Sequence, residues 1–141
     1  MKILILCTGN SCRSQMAHGF MNHFNNNLEV YSAGVAPGYR VAPEAIEIMA
    51  EKGIDISDHV PENVRYYLKD AFDYVITVCD HANETCPSFS GTVKQRLHLP
   101  FPDPYQAAGS HKQLMAIYRK VRDDIEKTFY SLYKKEIRPQ L

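Results

Sequence analysis

The stretch "ILILCTGNSCRSQMAHGF", residues 3–20, passes from an apolar segment through a polar loop into an amphipathic segment. Residues 3–6 form a continuous aliphatic run, which is typical of a central parallel strand covered on both faces. Met16 and Phe20 recur at helical spacing, so a helix is predicted over residues 14–27. The stretch therefore predicts a strand, a loop and a helix in succession, with Cys7 at the end of the strand.

The rest of the chain repeats this alternation of strands and helices. Further strands are predicted at residues 28–34, 72–79 and 96–104, and further helices at residues 41–53, 61–70 and 110–137. Alternating strands and helices predict an α/β fold: a doubly wound, four-stranded parallel sheet flanked by helices. We find no repeat or linker, so residues 1–141 are expected to form a single domain.

Composition narrows the classes of function. The 16 basic and 16 acidic side chains cancel, which does not favour a nucleic-acid or anionic membrane surface as partner. The opening "MKILILC" is too short for a signal peptide, and no run approaches the ~20 apolar residues of a membrane span. We therefore expect a cytoplasmic protein, with nothing that suggests more than a monomer. Four cysteines in that reducing compartment favour catalysis, redox chemistry or metal binding over structural disulfides.

Three candidate chemical groups follow strands of the predicted sheet. Cys7 ends the first strand, Cys79 ends the third, and Asp103 comes just after the fourth. In open α/β sheets, ligands bind outside the carboxyl ends of the strands. We therefore expect these three side chains at one edge of the sheet.

The loop from Cys7 to Ser14 has the composition of an oxyanion site, with Thr8, Gly9, Asn10, Ser11 and Cys12 between them and Arg13. Backbone N–H groups would converge at the helix start, bind a tetrahedral dianion and lower the pKa of the Cys7 thiol. Arg13 would hold two oxygens, Gly9 would permit an unusual backbone conformation, and Ser14 would donate to the thiolate. The alternative is a buried structural cysteine with a surface arginine.

The sequence "CTGNSCRSQMA" resembles the phosphate-binding loop of the low-molecular-weight protein tyrosine phosphatase superfamily. Its Cys-Thr-Gly-Asn-Ser-Cys-Arg-Ser-Gln form is similar to that of the thioredoxin-coupled arsenate reductases in that superfamily. The segments "YSAG", "ITVCDHANETCP", "FPDP" and "YRKVRDDI" match the same branch in order and spacing. The resemblance thus covers essentially the whole chain.

This resemblance implies reduction of arsenate to arsenite, with phosphate or sulfate as mimics of the substrate. Cys7 would attack arsenate while Asp103 protonates the departing oxygen. Cys79 would then attack Cys7, and Cys86 would attack Cys79, which leaves a Cys79–Cys86 disulfide for thioredoxin or a similar dithiol to reduce. No tightly bound cofactor is implied.

The cysteines have other interpretations. Cys79 and Cys86 are also consistent with a core thiol and a helix-end thiol, or with a zinc site that includes His81 but lacks an evident fourth ligand. Cys12 is interpreted as structural, or as a partner that protects Cys7 from oxidation. If residues 79–86 are helical, their ends lie about 10 Å apart, beyond the ~7 Å that a disulfide tolerates, so oxidation must unwind the segment.

Two features depart from the arsenate reductase pattern. Its best-known members carry an acidic residue in place of His18, and some use it with the counterparts of Asn10 and Ser32 around potassium. A histidine does not favour a potassium site, so Asn10 and Ser32 are interpreted as hydrogen-bonding supports of the loop. Tyr105 after "DP" resembles the phosphatase branch instead, where an aromatic side chain flanks a tyrosyl ring.

Two alternative functions stay open at this point. A low-molecular-weight phosphatase would act on phosphotyrosine with Cys7, Arg13 and Asp103 alone, and Cys79 and Cys86 would protect it from oxidation. A non-catalytic module would sense oxyanions or arsenite through its thiols, but it would have no use for Arg13 or Asp103.

Overall fold

Four parallel strands form the sheet of this computed structural model, which describes residues 1–141. They are β1 (Lys2–Cys7), β2 (Glu29–Gly34), β3 (Phe72–Thr77) and β4 (Val93–His98), in the order β2-β1-β3-β4. The α-helices are α1 (Arg13–Phe24), α2 (Pro43–Ala50), α3 (Asp80–Thr85) and α4 (His111–Leu132). Short 3₁₀ turns at Val64–Tyr67 and Pro104–Gln106 complete the connections, and the chain ends in a π turn (Tyr133–Ile137) and a 3₁₀ turn (Arg138–Gln140). The predicted α/β class and four-stranded parallel sheet are confirmed.

The central strand β1 is covered on both faces, as its unbroken aliphatic run predicted. Ile3 and Ile5 belong to the larger core, which α1, α2 and α4 cover, whereas Leu4 and Leu6 belong to a smaller cluster on the opposite face. All four side chains are fully buried. Burial of each contributes about 1.5–3 kcal/mol, so β1 is a stiff base for the loop that follows it.

The strand order reverses between β1 and β3. The chain passes from β1 to β2 at one edge, then crosses over to β3 and β4 on the other side of β1. Such a switch point leaves a crevice at the carboxyl ends of the two strands, which is where ligands bind in this type of sheet. The loops after β1 and β3 both open into that crevice.

The third and fourth strands differ most from their predicted bounds. The fourth strand was predicted at residues 96–104, but β4 begins at Val93 and ends at His98, ahead of the prolines. It is an edge strand in which no side chain is fully buried, so it has no apolar run that would reveal it. The third strand ends at Thr77, and Cys79 instead caps the start of α3.

The helices also differ in detail from the prediction. Pro43 begins α2 as predicted, and Gly53 follows the helix with a φ of 73°, in the left-handed region that glycine favours. Residues 64–67 form a 3₁₀ turn rather than an α-helix, and the last helix changes to a π turn at Tyr133. Ile117 has the helical spacing of the apolar face of α4, yet it is 38% exposed. None of the helices is both long enough and apolar enough to cross a membrane.

Candidate active site

Cys7 lies at the base of the crevice, as the last residue of β1. Its side chain is only 3% exposed, and its Sγ accepts the Asn10 N–H at 3.1 Å. The Ser14 Oγ lies 2.9 Å from the same sulfur. The loop therefore turns back over Cys7 before α1, which was predicted over residues 14–27 and instead runs from Arg13 to Phe24.

Asn10 holds this loop in shape. It is the only non-glycine residue with a positive φ, at 51°, so the expectation that Gly9 supplies the unusual conformation is wrong. The Asn10 Oδ1 accepts the Glu62 N–H at 2.9 Å and the Gln15 Nε2 at 3.1 Å. Its Nδ2 must then be the donor to the Ser14 Oγ, 2.8 Å away. Because the Ser14 Oγ accepts this hydrogen bond through one of its lone pairs, its own hydrogen is free to point at the Cys7 sulfur.

The pKa of the Cys7 thiol is raised from its ordinary value, because burial disfavours the thiolate. The Ser14 hydroxyl, the Asn10 N–H and the Arg13 guanidinium act in the opposite direction without outweighing burial. The expectation of a lowered pKa is therefore wrong. Because the thiolate is the nucleophile, the Cys7 thiol must lose its proton before it can attack.

Arg13 and Asp103 face each other across the crevice. The Arg13 Nη1 donates to the Phe101 carbonyl at 2.9 Å, and its Nη2 lies 3.6 Å from the Asp103 Oδ2. Asp103 also accepts the Tyr105 N–H at 3.0 Å and so caps the 3₁₀ turn that follows. One arm of the guanidinium is thus fixed by the backbone, and the other lies between the loop and a carboxylate.

Two cavities meet at this position. The first, of about 470 Å³, is lined by the cysteine loop and opens between Tyr39, Arg40 and Tyr105. The second, of about 420 Å³, contains Cys79. Thr8, Arg13 and Asp103 line both cavities. These three residues therefore separate a group bound over Cys7 from the cavity that contains Cys79.

Cys79 lies against the cysteine loop, whereas Cys86 does not. The Cys79 Sγ is 3.3 Å from the Thr8 Oγ1 and also accepts the Ala82 N–H at 3.4 Å, so it caps α3. Cys86 lies at the other end of α3 and packs against the smaller core cluster. Burial raises the pKa of the Cys86 thiol, while Arg96 lowers it. All four cysteines are free thiols, and no group of three or more His, Cys, Asp or Glu side chains is arranged to hold a metal ion.

The remaining sequence candidates lie behind the loop. Cys12 is buried, and burial followed by the nearby Asp103 charge raises the pKa of its thiol well above the ordinary value. Ser32 was expected to support the loop, but its Oγ contacts the His18 Nδ1 at 2.9 Å. The His18 ring lies 4.6 Å from that of His59, and burial followed by His59 lowers the pKa of His18 to about 4.

Sequence reasoning missed four residues that hold the loop. Gln15 links the Asn10 carbonyl to the His59 ring, and Glu62 binds Asn10 through its N–H. Gly34 allows the loop to approach β2, because a Cβ there would lie 2.4 Å from the Thr8 carbonyl oxygen. Only Gly34 carried a signal, as the glycine that ends the "YSAG" strand.

Comparison with known proteins agrees with this geometry. A model of the low molecular weight phosphotyrosine protein phosphatase family matches residues 2–140. An arsenate reductase of Halalkalibacterium halodurans is 42% identical over 126 residues, which are 89% of each chain. A solved arsenate reductase in its phosphate-binding state matches with a TM-score of 0.80 and 30% identity, over 96% of this chain and 98% of that chain.

A thioredoxin-dependent arsenate reductase from Corynebacterium glutamicum matches with a TM-score of 0.71 and 25% identity, over 99% of this chain and 62% of that chain. The family model spans nearly the whole chain, and the curated relative exceeds 40% identity. The chain therefore belongs to the low molecular weight phosphotyrosine protein phosphatase family, and within it to the group of the arsenate reductases.

Proposed function

We propose that the protein reduces arsenate to arsenite through a relay of Cys7, Cys79 and Cys86, and that a dithiol protein of the thioredoxin class restores it. Relatives named arsenate reductase support the reaction. The similarity to a thioredoxin-dependent enzyme supports the reductant. The single observation that carries the relay is the 3.3 Å contact between the Cys79 Sγ and the Thr8 Oγ1, next to Cys7 in the chain.

The first step forms a bond between Cys7 and arsenic. Arsenate binds as a dianion against the loop N–H groups and Arg13, where it takes up the thiol proton of Cys7. The thiolate, held by the Ser14 hydroxyl, then attacks arsenic. Asp103, whose Oδ2 lies 3.6 Å from the Arg13 Nη2, accepts that proton from the bound arsenate and passes it to the departing oxygen, which leaves as water.

The second step transfers the electrons. The Cys79 thiolate attacks the Cys7 sulfur, so a sulfur–sulfur bond forms and the sulfur–arsenic bond breaks. The electron pair of that bond stays on arsenic, which passes from the +5 to the +3 state and leaves as arsenite. The two thiols are oxidised to one disulfide, so the step balances without any other reductant.

The third step moves the disulfide away from the substrate site. Cys86 attacks Cys79, and Cys7 leaves as a thiolate ready for another turnover. Cys79 and Cys86 cap opposite ends of α3, so their Cα atoms are about 10 Å apart by helical rise, and a disulfide spans at most about 7 Å. The helix must therefore unwind, which exposes the new disulfide to its reductant.

The test is arsenate-dependent oxidation of NADPH with thioredoxin and thioredoxin reductase. Cys79→Ser and Cys86→Ser should each lose turnover, because neither can leave the disulfide that the reductant needs. Ser88→Ala, on the same surface segment, is the matched control and should keep full activity. Wild-type turnover in either cysteine variant would overturn the relay.

A second activity, hydrolysis of aryl phosphates, is favoured by the mouth of the larger cavity. Tyr39 and Tyr105 are both largely exposed there and can flank an aromatic ring whose phosphate reaches Cys7. This chemistry is redox-neutral and needs only Cys7, Arg13 and Asp103. Hydrolysis of phosphotyrosine should therefore survive Cys79→Ser and should lose efficiency when Tyr105→Ala removes one flank.

A further inference from the structure

His98, at the end of β4, forms hydrogen bonds to both the sheet and α3, the helix between Cys79 and Cys86. Its Nδ1 lies 2.8 Å from the Thr77 Oγ1, at the end of β3. Its Nε2 lies 2.8 Å from the Oδ1 of Asp80, the first residue of α3. One imidazole therefore bridges a strand end and a helix start, next to Cys79.

The hydrogen bonds of this ring have a defined direction. The Asp80 carboxylate only accepts, so the His98 Nε2 carries the hydrogen. In the neutral ring the Nδ1 is then an acceptor for the Thr77 hydroxyl, whose oxygen also lies 3.4 Å from the Asn83 Oδ1 of α3 and 3.4 Å from the Leu97 carbonyl oxygen. The His98 side chain is 29% exposed and that of Asp80 is 78% exposed, so the contact lies at the surface, with the ring as its more buried partner.

Unwinding of α3 must break one of these contacts and spare the other. Thr77 and His98 are paired on adjacent strands, so their contact persists when the helix opens. Asp80 lies inside the segment that must rearrange to join Cys79 to Cys86. The His98–Asp80 contact is therefore the one of the two that formation of the Cys79–Cys86 disulfide is expected to break.

We propose that His98 is a positioning residue that latches α3 in its helical dithiol form and so sets the equilibrium between the Cys79 and Cys86 thiols and their disulfide. The inference rests on the proposed relay, in which this disulfide forms. A latch present in one redox form stabilises that form only, so its loss favours the disulfide. A contact present in both forms would cancel from the equilibrium.

The measurement is the equilibrium of the Cys79–Cys86 pair with glutathione. Two protein thiols and one glutathione disulfide exchange with one protein disulfide and two glutathione thiols, so electrons and protons balance. The Cys7→Ser background excludes the Cys7–Cys79 disulfide, and peptide mass spectrometry quantifies the Cys79–Cys86 bond. His98→Ala should raise the oxidation constant about fivefold, which corresponds to about 20 mV.

Asp80→Ala removes the same contact from its exposed side and guards against a folding defect in His98→Ala. The double variant should change the constant no more than His98→Ala does, because both substitutions break one contact. His23→Ala, which removes an exposed histidine on α1, is the control and should leave the constant unchanged. Amide exchange over residues 80–86 should be faster in the His98→Ala dithiol and equal to that of the parent in the disulfide form.

The outcomes separate the two proposals. A Cys79–Cys86 disulfide that forms in the parent, with a change below twofold in both His98→Ala and Asp80→Ala, overturns the latch and leaves the relay standing. Failure of the parent to form that disulfide at any glutathione ratio overturns the relay itself. A fivefold change that is shared, not summed, in the double variant supports the latch.

Discussion

Removal of the Ser14 hydroxyl tests how the loop prepares its nucleophile. The Ser14 Oγ lies 2.9 Å from the Cys7 sulfur, and both side chains are buried. The Asn10 Nδ2 donates to the same oxygen, which directs the hydroxyl hydrogen to the sulfur. Ser14→Ala therefore deletes a hydrogen bond that favours the thiolate and leaves the burial that opposes it.

The size of the effect follows from the charge of the acceptor. A hydrogen bond to a charged group contributes about 1.5–3 kcal/mol, and one pKa unit corresponds to about 1.36 kcal/mol. The pKa of Cys7, already raised by burial, should therefore rise by a further one to two units, approximately. At neutral pH the thiolate fraction should fall about tenfold to a hundredfold.

The assay is the rate of Cys7 alkylation by iodoacetamide as a function of pH, followed by mass spectrometry of the Cys7 peptide. Ser32→Ala is the matched control, because that hydroxyl is also buried but contacts His18 instead of Cys7. The control should keep the wild-type profile. An unchanged profile in folded Ser14→Ala would refute the assignment of this hydrogen bond to the thiolate.

Three further predictions concern stability, the loop and the last step. The pKa of His18 is about 4 in the fold and ordinarily 6.5, so the free energy of unfolding should fall by about 3 kcal/mol as the pH drops from 6.5 to 4. Urea unfolding should show this loss in the wild type and not in His18→Gln. Equal pH dependence in the two proteins would contradict the prediction. Gly34→Ala should lower the free energy of unfolding by about 1–3 kcal/mol and abolish most arsenate turnover, because its Cβ would meet the loop backbone. Gly38→Ala has room for its Cβ and should be near wild type. Equal urea midpoints for the two variants would contradict the prediction. Arg96 lowers the pKa of the Cys86 thiol, so Arg96→Met should slow the attack of Cys86 on Cys79 about threefold at low salt, and the difference should vanish at 1 M salt. Rapid acid quenching should then show more of the Cys7–Cys79 disulfide in the variant than in the wild type. Equal amounts in the two proteins would show that Arg96 does not act in that step.

The parts of the fold that depend on burial were predictable from the sequence. The run at residues 3–6 identified β1, because a strand covered on both faces must be apolar throughout. The edge strand β4 was misplaced, because one neighbour and a solvated surface impose no such pattern. The change to a π turn after Leu132 was also not predicted, because the prediction of this helix used only the spacing of its apolar residues.

The site was predictable where a short segment carries the chemistry. The composition of the loop from Cys7 to Arg13, between a strand and a helix, pointed to an oxyanion site, and both residues line the first cavity. The positive φ at Asn10 and the supports from Gln15 and Glu62 depend on long-range contacts, which no local pattern reveals. The direction of the Cys7 pKa was mistaken for a related reason: burial, which comes from the whole fold, outweighs the local donors.

The most direct test of the three-cysteine relay is a single turnover with arsenate and no reductant, stopped by acid and mapped by peptide mass spectrometry. Wild-type protein should release one arsenite per chain and carry a Cys79–Cys86 disulfide, whereas Cys86→Ser should release one arsenite and stop at Cys7–Cys79. Arsenite released from Cys79→Ser, or wild-type protein with Cys86 still a thiol after the turnover, would contradict the account.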